Sequence, residues 1–154
     1  MYNHAPKNYN CPFCHFANGE NTEYNSQDDI VYKDKFVTAF VSPKWWRNNP
    51  GHVIIIPNKH YEHIYDLPLD YATEIHRVVR EIALAFKKVY KCKATSIRQH
   101  NEPDGNQDVF HYHTHVFPRY KDDNLYLNHK NYRFVTIEEK RPYVKKLKQY
   151  FAEK

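Results

Sequence analysis

The sequence predicts an α+β domain, an antiparallel or mixed β-sheet crossed by one long helix and closed by a C-terminal helix. Three patterns lead there. The run His52-Val53-Ile54-Ile55-Ile56-Pro57 is β-branched and bounded by Pro50-Gly51 and Pro57-Asn58, which reads as a buried strand. Between Asp70 and Lys91, Ile75, Val78, Val79, Ile82, Phe86 and Val89 recur at helical spacing, with charged residues on the opposite side. From Asp108 to Phe117 the chain alternates as a half-buried strand does.

Taken in order, residues 1–10 are polar and read as a flexible N-terminal tail without the apolar core of a secretory signal, leaving 11–154 as a single domain. Asp29–Tyr32 and Phe36–Ser42 are strands of a hairpin turned by Lys33-Asp34-Lys35. The 52–57 strand should be central. Helix 70–91 then crosses the sheet, Thr95–His100 returns as a strand, and 108–117 follows. The tail from about Glu138 to Ala152 is helical. Pro142 argues for a late start or a kink, whereas the Thr136-x-x-Glu139 capping box favours an early one.

Composition narrows the function. An aromatic fraction of 16% belongs to a folded chain, and only 3 Gly argue against a glycine-rich phosphate loop. The net charge of +5 suits an anionic ligand. Lys140, Arg141, Lys145, Lys146 and Lys148 stand among Glu138, Glu139 and Glu153, which reads as a solvated helix face, so no nucleic-acid partner is expected. No apolar run reaches membrane-spanning length, so no membrane partner is expected either. The expected location is a reducing cytoplasm. There, three cysteines with one Cys-x-x-Cys pair point to metal or redox chemistry before disulfides, and Cys92 stands apart as an inert thiol.

The most informative stretch is Gln107-Asp108-Val109-Phe110-His111-Tyr112-His113-Thr114-His115-Val116-Phe117-Pro118-Arg119. Strand alternation places His111, His113 and His115 on one face, an alignment that packing does not explain. Arg119 follows as a cation suited to phosphate. This stretch resembles the signature of the histidine-triad (HIT) superfamily, a resemblance extending through residues 50–57 and the Lys59-His60 step to Cys11.

The resemblance implies a HIT-like fold and a nucleotide hydrolase or nucleotidyl transferase. The middle histidine, here His113, attacks an α-phosphorus to give a nucleotidyl-histidine intermediate that water resolves. The bond cut is a phosphoric anhydride or a phosphoramidate. Candidate substrates are dinucleoside polyphosphates, nucleoside phosphoramidates and other nucleotidyl conjugates. His115 would bond a phosphate oxygen or assist the leaving group, and Asn101 and Gln107 would donate to phosphates; read from their surroundings alone, both also serve as turn residues around Pro103-Asp104-Gly105. Relatives place an acid for the ribose hydroxyls where this chain has Ser42, and a small hydroxyl residue where it has Asp108. Trp45 and Trp46, in the next loop, are candidates for stacking on a base or for capping a core.

Cys11-Pro12-Phe13-Cys14 supplies half of a zinc site, and no second such pair exists. A thioredoxin-like dithiol is the competing reading, but it expects a strand before the motif and a helix after it. By resemblance to the zinc-bearing branch of the superfamily, the ligands are Cys11, Cys14, His60 and His111, with His63 as a possible substitute for His60. One structural zinc per chain is implied. A homodimer is expected by resemblance alone. The alternative to an enzyme is a nucleotide-binding regulatory HIT module with little turnover, suggested by Asp108 and Ser42. A uridylyl-type transferase is disfavoured because its branch replaces the third histidine, and His115 is present.

Overall fold

A strand whose residues are apolar on both faces is stable only with a neighbour on each edge and a layer on each side. Residues 53–57 meet that condition. The computed structural model describes residues 2–128 and 130–154. In chain order the elements are α1 (Pro12–Ala17), β1 (Ile30–Lys33), β2 (Val37–Val41), β3 (Lys44–Trp46), β4 (Val53–Pro57), α2 (Leu69–Ala85), β5 (Ala94–Gln99), β6 (Thr114–Arg119), β7 (Tyr132–Phe134) and α3 (Ile137–Ala152). Five strands form one antiparallel sheet in the order β1-β2-β4-β6-β5, with β4 in the middle and buried throughout.

Period-two alternation divides the sheet. Val37, Ala39, Val41, Val53, Ile55 and Val116 pack against Ile75, Val78, Val79 and Ile82 of α2 and Val144 and Leu147 of α3. Burying each large aliphatic chain there contributes about 1.5–3 kcal/mol. On the opposite face, Phe40, Ile54 and Ile56 meet Phe16 and Ala17 of α1. The rest of that face lines a cavity.

α2 runs on into a wide π-type turn, Phe86–Tyr90, and stops at Lys91 in the left-handed region. α3 starts early: Thr136 and Glu139 cap each other at 3.3 and 2.9 Å, and Pro142 is carried inside the helix. Lys140, expected on a solvated face, is instead fully buried, with Nζ 2.5 Å from Asp29 Oδ2 and 2.8 Å from the Tyr24 carbonyl. A charge that deep requires such partners. It fastens α3 to the segment entering β1.

Two further differences matter for the site. β3 and β7 form a separate two-stranded ribbon that the sequence did not announce. The strand expected over 108–117 begins only at Thr114, because the preceding backbone is engaged elsewhere. The Tyr112 N–H donates to the Tyr61 carbonyl at 2.6 Å and the His111 N–H to Val109 at 2.8 Å. Residues 2–10 carry no regular structure; the N–H groups of His4 and Ala5 donate to Glu62, at 2.5 and 3.1 Å.

Candidate functional site

α1 brings the cysteine pair to the sheet. Pro12 starts the helix at a position that needs no N–H, and the Cys11 sulfur caps it by accepting from the Cys14 N–H at 3.4 Å. Cys11 Sγ then lies 3.3 Å from His111 Nδ1, and Cys14 Sγ lies 3.3 Å from His60 Nδ1 and 3.5 Å from His111 Nδ1. The four donor atoms fall within 4.8 Å of one another. Ligands at zinc's usual bond lengths stand ~3.5 Å apart across a tetrahedral edge, so the quartet has the dimensions of a closed Cys2His2 site.

The chemistry of the donors fits a dication as well. His111 Nε2 donates to the Pro57 carbonyl at 2.9 Å, which leaves the lone pair on Nδ1, facing the sulfurs. Burial first, then the neighbouring rings, press its pKa down to about 3, keeping it neutral. Burial and the adjacent Cys11 push the Cys14 thiol up to about 12, a crowding of sulfurs that a bound cation would relieve. His63 does not join the cluster; its ring is fully buried beside Glu62. The dithiol reading is not favoured: a two-turn helix does follow Cys11, but among the described residues no strand precedes it.

Two residues on, His113 is held in the opposite tautomer. Its Nδ1 donates to the His111 carbonyl at 2.7 Å, so Nε2 keeps its lone pair, 3.7 Å from Asp108 Oδ1. Burial lowers the pKa of this ring against the opposing pull of that carbonyl and of Asp108. A neutral imidazole with one nitrogen anchored and the other bare is a competent nucleophile. His115 follows, 5.1 Å from His113 between ring centroids, with Nδ1 3.3 Å from Nε2 of the fully buried His52.

These two histidines line a cavity of about 1130 Å³. Its wall also carries His52, Ser42, Trp46, Gln107, Lys44 and Arg98. Lys44 Nζ lies 3.0 Å from Asp108 Oδ2, so the carboxylate at the site's mouth is paired. Partial burial pushes the Asp108 pKa up, but the Lys44 hydrogen bond and charge, with His113, hold it below the usual range.

The residues expected to bind substrate divide into two groups. Ser42, Trp46, Gln107, His113 and His115 stand together on the cavity wall. Gln107 nevertheless spends its amide on the loop, donating to the carbonyls of Glu62 and Val109 and accepting from the Glu102 N–H. Trp45, Asn101 and Arg119 are not on that wall. Trp45 packs into the core against Tyr143 and donates to the Ser42 carbonyl at 2.6 Å. Asn101 ties the Ile64 N–H to Gln99. Arg119 forms a two-pronged pair with Asp123 at 2.7 and 2.8 Å. The cations on that wall are instead Lys44, Arg98 and Lys130, which the sequence reading missed. His52 was missed too, although its period-two spacing from Ile54 and Ile56 puts it on the same face.

The HIT domain matches residues 23–122, more than half of the chain. An uncharacterized HIT-like protein of Methanocaldococcus jannaschii is 30% identical over 131 residues, covering 84% of this chain and 94% of that one. A bis(5'-nucleosyl)-tetraphosphatase (asymmetrical) of Schizosaccharomyces pombe is 33% identical over 94 residues, 61% of this chain and 50% of the relative. The fold matches the crystal structure of a Zn-bound histidine triad family protein from Mycobacterium smegmatis with a TM-score of 0.74, at 22% identity over 94% of each chain.

Proposed function

This chain belongs to the HIT family, and on that premise we propose that it is a nucleotide hydrolase or nucleotidyl transferase in which His113 attacks the α-phosphorus of its substrate. The observation that carries the reading is the hydrogen bond from His113 Nδ1 to the His111 carbonyl, which leaves Nε2 unprotonated at the cavity. The Nε2 lone pair forms the N–P bond. The bond from phosphorus to the leaving group breaks, and the leaving group departs with the electron pair and takes a proton from His115. Water then attacks the nucleotidyl-histidine. The P–N pair returns to Nε2, and the proton lost by water restores His115. Trp46 offers a ring for the base, and Lys44 a charge for the phosphates.

Cys11, Cys14, His60 and His111 would hold one zinc ion per chain. With four protein donors, such an ion would supply rigidity and no activated water. His111 thereby braces the carbonyl that orients His113. The substrate classes that fit are dinucleoside polyphosphates, as in the S. pombe relative's activity, and nucleoside phosphoramidates. Pairing into a homodimer belongs to the same reading.

A nucleotide-binding regulatory module with little turnover is the second reading, favoured by one observation: the Asp108 carboxylate stands 3.7 Å from the nitrogen that would attack. Detection of a nucleotidyl adduct by intact mass, beside release of nucleoside monophosphate, separates the two.

A further inference from the structure

Among the described residues, Arg98 is a cavity-lining cation whose buried donors find no hydrogen-bond partner. It lies on β5 directly opposite His115 of β6, so both side chains rise from the same face of the sheet. Its Nε and Nη2 are buried and have no hydrogen-bond partner, and among the described residues no carboxylate pairs with it. Arg119, two-pronged on Asp123, shows what a satisfied arginine looks like in this fold. The Arg98 guanidinium instead lies over aromatic rings, 4.5 Å from the Phe117 centroid and 5.4 Å from those of Trp46 and Tyr126. Stacking of this kind steadies a planar cation but leaves its in-plane N–H donors open. Buried donors left unmade are costly, and a phosphate oxygen is the acceptor that matches their fork.

Position decides which phosphate. Along the cavity face, from just before β6 into the strand, the rings step from His113 to His115 at 5.1 Å and from His115 to Phe117 at 5.7 Å. The guanidinium sits over Phe117, at the far end of that row. An α-phosphorus under attack must lie ~3–3.5 Å from His113 Nε2, at the near end. A chain of phosphates running from His113 past His115 would bring its later members to Arg98.

We propose that Arg98 binds the phosphates beyond the scissile bond, so that the site selects substrates whose leaving group is itself a phosphate or nucleotide over those that release an amine. This rests on the nucleotidyl-histidine reading above. When the Nε2–Pα bond forms and the bridging P–O bond breaks, the electron pair goes to the departing phosphate, and the negative charge that develops there before the His115 proton arrives is met by Arg98. An amine leaving group presents no such charge. Arg98 also depresses the pKa of both rings by its charge, after burial for His52 and after burial, His113 and His52 for His115. An anion that compensates Arg98 therefore raises the proton affinity of the ring that serves the leaving group.

The test compares diadenosine tetraphosphate with adenosine 5'-phosphoramidate, which share the nucleotidyl half, in wild type, Arg98→Gln and Arg98→Lys. Expected is a kcat/KM loss in Arg98→Gln that is about 10- to 100-fold greater for the tetraphosphate than for the phosphoramidate. Arg98→Lys should recover part of it, and the melting temperature of Arg98→Gln should stay at or above wild type, because an unpaired buried charge has gone. An equal loss on both substrates, or none on either, overturns the assignment. Should wild type turn over neither substrate, the nucleotidyl-histidine reading fails and the same variants are read by equilibrium binding. A Kd rise for diadenosine tetraphosphate well above that for adenosine monophosphate then supports a distal-phosphate site, and equal changes overturn it.

Discussion

The backbone carbonyl of His111 accepts the Nδ1 proton of His113 at 2.7 Å, so the residue whose ring faces the cysteine pair also fixes the tautomer of the ring that faces the cavity. The cysteine–histidine quartet and His113 are thus one mechanical unit. Loosening the first should misorient the second without touching it.

Purified protein should contain about one zinc per chain, and Cys11→Ser, Cys14→Ser or His111→Ala should lose it together with thermal stability. Elemental analysis and melting curves check this. Zinc-free protein from a chelator-free preparation would contradict it and return the cysteine pair to redox chemistry.

The two tryptophans should separate by phenotype. Trp46 lines the cavity, so Trp46→Ala should weaken nucleoside monophosphate binding by ~1–3 kcal/mol. Trp45 is core, so Trp45→Ala should cost ~3–5 kcal/mol of stability through the space it leaves beside Tyr143. Titration calorimetry and denaturant melts distinguish the two, and a reversed pattern would assign the base pocket wrongly.

Stability should fall as acid is added, starting near pH 6.5. Burial first, then the charges of Arg98 and Lys44, lower His52 to about 3, and burial with His113 and His52 lowers His115 well below its ordinary value. Between those values and the unfolded value of about 6.5 the unfolded chain binds more protons, so stability rises with pH, is complete above ~6.5 and drains away as pH falls toward 3. Each ring contributes a slope of up to ~1.4 kcal/mol per pH unit in that window. His52→Phe, which keeps an aromatic ring against Phe117, should flatten the slope of the urea midpoint between pH 7 and 5. An unchanged slope would mean that His52 is not the titrating group.

What the sequence made legible follows from how local each signal is. The helical spacing of Ile75, Val78 and Ile82 and the β-branched run before Pro57 each declare an element within one window, and both are present. The cysteine–histidine quartet was readable because ligand types are few and their family spacing is fixed. The β3–β7 ribbon was not, because Lys44–Trp46 and Tyr132–Phe134 are strands only through each other. Arg98 gave no local signal: an arginine in an alternating strand reads as a solvated residue until its cross-strand neighbour is known to be His115. Arg119 shows the converse. Its place after the histidines suggested phosphate, but Asp123, four residues on, claims both prongs of the guanidinium.

The central claim is that His113 forms the covalent bond. Wild-type protein mixed with a dinucleoside polyphosphate, quenched in denaturant at alkaline pH because the P–N bond is acid-labile, and weighed intact should carry one added nucleotidyl group. In His113→Ala that species should vanish while nucleotide binding and zinc content stay near wild type. His115→Ala should still accumulate some adduct, with its largest rate loss on the poorest leaving groups. Wild type that binds nucleotide yet forms neither adduct nor product would establish the regulatory reading instead. An adduct that persists in His113→Ala and maps by peptide fragmentation to another residue would contradict the mechanism outright.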